Sequence, residues 1–443
     1  MLVVHVAFEC APIYKTGGLG DVVGSLPKAL ARDGVETAIV MPGYHWIKRQ
    51  EYLPESKVPV YYIENKLFHD GLKKHNPRLT AQAYANFCLE VLQELKRRNI
   101  RPDIIQCHDW HTALIPVLLK KRPDAYFEKT KTILTVHNIG YQGNFPCGYF
   151  KDGEFAEILT CFRDMKRVSF LREGMRFADF INTVSPNHAK EIRSGQASFG
   201  LKQVLAKMRG KFVGILNGID YTVWNPRTDK FIHENYNLTN VFSAKSTNKL
   251  ALQKELGLEV SPDIPLYGFI ARLTNQKGLE ILMPQLVEAP RRRVQMVILG
   301  SGEAKYERAL KNFRKTIDHK WYAVEVKFDE RLAHQIYAGS DYFLVPSVYE
   351  PCGLTQMIAM AYGSVPIVSN VGGLVDTVSD GKTGVVFKNL TPEALRTAIE
   401  RASDLWEYNG SYMKMVTAAM HKDFSWKKSA RAYIRLYHRV VDL

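Results

Sequence analysis

The sequence predicts an α/β protein of two Rossmann-like, doubly wound domains that face a deep cleft. Three observations carry this reading. A buried-strand run, a glycine-bearing loop and an amphipathic helix follow one another at the N-terminus. The same order begins again near residue 265. And 443 residues exceed what a single core holds, roughly 250–300 residues.

In chain order, "LVVHVAF" reads as a strand, "KTGGLGDVVG" as the loop and helix start after it, and "VETAIVMP" as the next strand. Val22, Leu26 and Leu30 recur on one helical face between them. The helix "ANFCLEVLQELKRR" then leads to strand "PDIIQC", loop "HDWH", helix "TALIPVLLKK" and strand "KTILTVH", and "FADFINTVSP" is a further strand running into a helix. The second half holds "LYGFIAR", "LTNQKG", "LEILMPQLVEA" and "VQMVILGSG", followed by the strands "DYFLVPS", "VPIVSN" and "TGVVFK". These patterns divide the chain into a first domain at 1–224, a polar, Pro- and Asn-rich linker region opening the second half at 225–262, and a second domain at 263–424. A helix with an apolar stripe at 425–443 completes it and is expected to pack back on the first domain. Ligands of such domains bind beyond the carboxyl ends of the strands, where the two Lys/Gly loops fall, so the expected site is the cleft.

Composition removes several function classes. The 46% hydrophobic and 24% charged residues describe an ordinary globular protein. A net charge of +15 calls for anionic partners. The basic residues are scattered, however, and no nucleic-acid motif occurs, so nucleic acid is not the expected partner. No run of about 18 apolar residues and no basic leader precede or interrupt the strands, which predicts neither a membrane span nor a signal peptide. The six cysteines, at 10, 88, 107, 147, 161 and 352, form no C-x-x-C pair, so neither a zinc ribbon nor a disulfide framework is expected and a reducing cytoplasm fits.

The chemistry concentrates in four places. Gly18-x-Gly20 is followed by a glycine one position too late for a dinucleotide fingerprint, and no acid ends the second strand. What remains is Lys15 beside Gly17 and Gly18 at a helix start, suited to a phosphate or sugar phosphate, against a plain tight turn. Arg272 and Lys277, on the loop after a buried strand, can neutralise a diphosphate, against the reading as surface charge. Glu350 in "YEPCGLTQ" offers an acceptor for sugar hydroxyls beside the amides near Gly353, against a helix-capping acid. "HDWH" brings His108, Asp109 and His111 together, but no further ligand stands at metal-site spacing and no D-x-D occurs, so no metal and no cofactor are expected.

Together "KTGGLGDVV", "HDWH", "TVHNIGYQG", "NGID…WNP", "ARLTNQKG", "EPCGLTQ" and "GGLVDTV" resemble the bacterial-type glycogen and starch synthases, retaining glucosyltransferases of the GT-B fold. The resemblance runs from residue 15 to residue 377. It implies transfer of glucose from ADP-glucose or UDP-glucose to the non-reducing end of an α-1,4-glucan, with glycogen as the partner and configuration retained. Carried over by motif, Lys15, Arg272 and Lys277 hold the diphosphate, and Glu350 binds the donor glucose with the amides of Cys352 and Gly353 beside it. Gly353, Leu354 and Thr355 meet the distal phosphate, His137 the glucose near the reacting centre and Asn217 the sugar, while Asp109 lies on the acceptor side.

Two departures qualify the pattern. The second acid of the broader E-x₇-E motif is Ile358 here, as in this subfamily generally, and the aromatic position before "DE" is Phe328 where tyrosine is common. A phenyl ring keeps base stacking and loses the phenolic hydrogen bond, so adenine and uracil both remain open. The competing readings are a related glycosyltransferase with another acceptor and a catalytically silent glucan-binding protein.

Overall fold

The computed structural model describes residues 1–68, 76–150, 155–158, 166–288, 290–316, 318–407 and 409–443. The chain forms two compact units, one of residues 1–218 with 425–443 and one of residues 219–424.

Among the described residues, unit 1 is built on a seven-stranded parallel sheet. Its strands are β1 (Leu2–Val6), β2 (Glu36–Pro42), β3 (Val60–Ile63), β4 (Ile104–His108), β5 (Lys131–Val136), β8 (Phe180–Thr183) and β9 (Phe212–Gly214), in the order β3-β2-β1-β4-β5-β8-β9. A small antiparallel pair, β6 (Asn144–Pro146) and β7 (Arg167–Ser169), stands apart. Alternate residues of the central strands feed different cores, because successive side chains of a strand point to opposite faces. Val4, Ile105, Leu134 and Ile181 join one cluster, with the helices Pro77–Arg97, Leu114–Lys121 and Phe170–Phe177. Val3, Ile104, Ile133 and Phe180 join another, with the helices Gly18–Arg32 and Trp426–Val441. Strands buried on both faces read as unbroken apolar runs, which is why they stand out in the sequence.

The C-terminal helix Trp426–Val441 belongs to unit 1. It is held by its stripe, Trp426, Ala430, Tyr433, Tyr437 and Val440, and by Tyr433 and Tyr437, which bond Asn182 and Gln106 of the sheet.

Unit 2 carries a six-stranded parallel sheet among its described residues: β10 (Leu266–Ile270), β11 (Gln295–Leu299), β12 (Tyr322–Glu325), β13 (Tyr342–Val345), β14 (Val365–Ser369) and β15 (Val385–Phe387), ordered β12-β11-β10-β13-β14-β15. Both units are thus of the α/β class that the sequence predicts.

Residues 225–262, read from composition as a linker region, lie within unit 2 and not between the units. Five of their polar side chains, Asp229, Lys245, Asn248, Lys249 and Gln253, are buried. Asp229 accepts from Tyr362 Oη at 2.6 Å and bonds His334 Nδ1 at 2.6 Å. Lys245, on the helix Val241–Leu256, donates to the carbonyls of Ala338 and Tyr362 at 2.9 and 3.1 Å. Part of this polar stretch therefore bonds protein and not water, which polarity alone does not reveal.

No helix among the described residues is long and apolar enough to cross a membrane. Cys10, Cys88, Cys107, Cys147 and Cys352 are free thiols, and Cys161 lies outside the described residues.

Candidate active site

Unit 1 contributes the loop after β1. A residue that the sequence reading passed over, Glu9, organises it. Its side chain is buried and accepts from the Gly20 N–H at 2.9 Å, the Thr16 hydroxyl at 2.6 Å and the Thr16 N–H. Burial raises the Glu9 carboxyl above its usual range, and the hydrogen bonds offset this only in part. Glu9 therefore satisfies an amide at the start of helix Gly18–Arg32, for which Gly17 is the N-cap without a side-chain cap of its own. Lys15 stands on the same loop and pairs with Asp21 at 2.7 Å. Asp21 thus holds the lysine near the helix start.

At the carboxyl ends of β4 and β5, Asp109 adopts φ 58°, a left-handed conformation uncommon outside glycine. The turn aims its carboxylate at the next loop, where Oδ1 accepts from the N–H of His137 at 2.7 Å and of Asn138 at 3.3 Å. Burial pushes the Asp109 carboxyl up to about 7 against the lowering effect of those two donors. The structure thus brings Asp109 and His137 together, with the aspartate bracing the histidine's backbone. His137 is 8% exposed, and burial holds its imidazole down to about 3, so the ring is uncharged at neutral pH. Asn217 follows β9 near the end of unit 1. Its side-chain oxygen is buried and has no protein partner.

Unit 2 contributes two loops that meet because β10 pairs with β13 and not only with β11. The Val348 N–H donates to the Gln276 carbonyl at 2.8 Å, and Gln276 Nε2 donates to the Tyr349 carbonyl at 3.2 Å. This zipper sets Lys277 Nζ 2.6 Å from Glu350 Oε2, which also accepts from the Ser347 hydroxyl at 2.9 Å. The sequence placed these two side chains on separate loops; the structure makes them one cluster. Arg272 opens the same loop and is exposed.

Two glycines make the approach possible. Gly278 has φ 72°, and a Cβ there would lie 1.8 Å from the Pro346 carbonyl oxygen. At Gly372, φ 48°, a Cβ would lie 1.8 Å from the Glu350 carbonyl oxygen, which Gly373 N–H bonds at 2.9 Å. After Glu350, Cys352 is buried, and Gly353 and Leu354 lead into the helix Thr355–Ala361. Gln356 Nε2 secures that turn by donating to the Cys352 and Gly353 carbonyls at 3.1 and 3.0 Å. Phe328 lies beyond β12 and is 83% exposed, an apolar ring offered to solvent. The sequence reading passed over Glu9, Ser347 and Gln356, although each bonds a group only 3 to 11 residues away, because the bond depends on the path of an irregular loop.

Among the described residues, no group of three or more His, Cys, Asp or Glu side chains is arranged to hold a metal ion. Unit 2 assembles a carboxylate beside an ammonium, a hydrogen-bond acceptor next to a cation. Unit 1 supplies a lysine loop and an uncharged histidine.

The comparisons with known proteins agree with this chemistry. Residues 2–207 match the model of the starch synthase catalytic domain, and residues 264–404 match that of the glycosyl transferases group 1. Over a 481-residue alignment the chain is 40% identical to the glycogen synthase of Geotalea daltonii, covering 100% of this chain and 99% of that protein. Identity to the glycogen synthase of Thermotoga maritima is 38%, with 100% and 99% covered. Among solved structures, the catalytic domain of starch synthase IV from Arabidopsis thaliana, bound to ADP and acarbose, superposes with a TM-score of 0.91 at 33% identity, covering 100% of this chain and 99% of that one. Sucrose-phosphate synthase from Thermosynechococcus elongatus, with 100% and 99% covered, shares the fold at a TM-score of 0.64 and 18% identity.

Proposed function

This chain belongs to the starch synthase family of GT-B glycosyltransferases, and from that premise we propose how it works as a glycogen synthase: it transfers glucose from ADP-glucose to the non-reducing 4-hydroxyl of an α-1,4-glucan, with retention, in the cytoplasm. The observation that carries the reading is the contact of Lys277 with Glu350 at 2.6 Å. A glycosyl phosphate needs a hydroxyl acceptor and a phosphate cation within a few ångströms of each other, and this cluster supplies both. The ADP bound by the Arabidopsis starch synthase supports the choice of base, and Phe328 is the exposed ring on which adenine stacks.

In this reading Lys15, Arg272 and Lys277 stabilise the departing diphosphate, and the amides of Gly353, Leu354 and Thr355 receive its distal oxygens. Gly17 and Gly18 leave the amides at the start of the helix Gly18–Arg32 open to an anion. Glu350 holds the glucose hydroxyls beside the amide of Cys352. His137 and Asn217 contact the sugar, the latter through its unpartnered buried oxygen. Asp109 serves the acceptor side and fixes the His137 loop. The bond from C1 to the leaving phosphate breaks as the bond from the acceptor O4 to C1 forms on the same face, and the O4 proton passes to a leaving-phosphate oxygen. No protein nucleophile is required, so a trapped covalent glucosyl-enzyme overturns this step.

The experiment is incorporation of labelled glucose into glycogen from ADP-glucose and UDP-glucose in parallel, with EDTA present. Transfer from ADP-glucose at the higher kcat/KM is the expected result. A higher value with UDP-glucose overturns the base assignment, and loss of transfer in EDTA overturns a site run by lysine and arginine alone.

A further inference from the structure

Three imidazoles on neighbouring strands of unit 1 hydrogen-bond nitrogen to nitrogen. His5 Nδ1 lies 3.2 Å from His108 Nε2, and His108 Nδ1 lies 2.9 Å from His137 Nε2. The rings stack, with centroids 5.5 and 5.1 Å apart. His5 shares the face of Val3 on β1, His108 the face of Ile104 on β4, and His137 continues the face of Ile133 just beyond β5. Burial holds His5 and His137 down to about 3 and His108 well below its ordinary value, so the row is uncharged at neutral pH.

An uncharged imidazole carries one N–H and one bare nitrogen. Two hydrogen bonds along three such rings therefore permit two arrangements: all the protons point toward His137, or all point away. The far end of the row decides between them. His5 Nε2 is buried and has no partner among the described residues. With the protons pointing away, that atom would be a buried N–H without an acceptor. With the protons pointing toward His137, His5 Nε2 is only a bare lone pair, and the unpaired N–H moves to Nδ1 of His137, the least buried ring. Orphaned buried N–H groups are the rarer and costlier kind, so the second arrangement is favoured.

We propose that His5 and His108 are positioning residues that hold His137 in its Nδ1–H tautomer, so that it presents a hydrogen-bond donor to an oxygen of the bound sugar. The proposal deepens, and rests on, the reading that His137 meets the donor glucose. An uncharged donor suits the reaction, because positive charge develops on the sugar ring in the transition state and an imidazolium would oppose it. Free histidine ordinarily protonates Nε2, so the row imposes the less common form.

The test is ¹⁵N NMR of the full chain labelled at the histidine rings, with the three signals assigned by single replacements. All three rings should show a protonated Nδ1 and a bare Nε2 between pH 6 and 8. A protonated Nε2 on His137 overturns the proposal whether or not any variant folds. Kinetics supply the second arm. His108→Leu, which removes the donor to His137, should lower kcat on the order of tenfold with little change in the glucan KM. His108→Asn, whose amide nitrogen replaces Nδ1, should recover most of that loss, and equal losses in both variants overturn the proposal. Unchanged kcat in His137→Ala, with the expected NMR result, would instead remove the reading that His137 meets the sugar.

Discussion

The ammonium of Lys277 and the carboxylate of Glu350 lie 2.6 Å apart although 73 residues separate them in the chain. The pair exists because two loops at the carboxyl ends of neighbouring parallel strands are zipped by Gln276. Its partners differ in task, and their variants should differ accordingly.

Lys277→Ala removes a preorganised cation from the leaving diphosphate. Turnover should fall by ~10², equivalent to about 3 kcal/mol of transition-state stabilisation. Steady-state kinetics with saturating ADP-glucose measure this, and unchanged kcat would place Lys277 outside the site.

Glu350→Gln keeps the shape of the side chain and discards its charge. Glucose positioning should suffer while ADP affinity stays within about fivefold, the worth of one ordinary hydrogen bond of roughly 1 kcal/mol. Calorimetric titration with ADP beside kcat on ADP-glucose separates the two, and equal losses would contradict a sugar-binding role.

Gly278→Ala tests the backbone under Lys277. The added carbon would stand 1.8 Å from the Pro346 oxygen at φ 72°, so the loop must move. Stability should drop by about 2 kcal/mol, with kcat falling although the glycine carries no functional group. Urea unfolding and kinetics on the same preparation check both.

Glu9→Gln substitutes an amide for the carboxylate that receives Thr16 and Gly20. One oxygen can still accept, but the NH₂ then faces a donor, at a cost of about 2 kcal/mol. The Lys15 loop should loosen first, visible as faster amide exchange at Thr16 and Gly20 than at β1. Uniform protection across this segment would show that Glu9 is replaceable.

Stability should rise with pH between about 4 and 6.5. In the unfolded chain His5, His108 and His137 protonate near 6.5, whereas in the folded protein burial keeps them neutral down to about 3 for His5 and His137. The unfolded state thus binds more protons in this window, and stability falls as the pH drops. Asp109, with its carboxyl pushed up to about 7, and Glu9, also raised, act in the opposite sense. His111, likewise held well below its ordinary value by burial, adds to the histidines, and Glu90, raised by burial, to the acids; four histidines against three acids leave the net slope positive. Urea midpoints at pH 4.5 and 6.5 should show it, and His5→Phe should flatten it.

The strand, loop and helix order was legible because strands buried on both faces are continuous apolar runs and because glycines mark the turns at their carboxyl ends. Lys15, Arg272, Lys277 and Glu350 stand on the loops that follow such runs, so the pattern marks where these charged groups sit. In residues 225–262 composition did not reveal that Asp229 and Asn248 are buried and bonded within unit 2.

The sequence by itself determined the α/β class, the two repeats of the strand–loop–helix pattern and the loops that bear the charged groups. These depend on local periodicity and on backbone permissiveness, both of which are written in neighbouring residues. Only the tertiary structure decided that Lys277 meets Glu350, that Glu9 ties down the Lys15 loop, and that His5, His108 and His137 form one row. The Glu9 contact follows from the path of one loop, whereas the Lys277–Glu350 pair and the histidine row follow from the order of strands in each sheet, in which β4 lies between β1 and β5 and β10 between β11 and β13. Sheet order is set by crossovers that bring distant segments side by side, and a side chain's partner across such a crossover leaves no mark on the residues beside it.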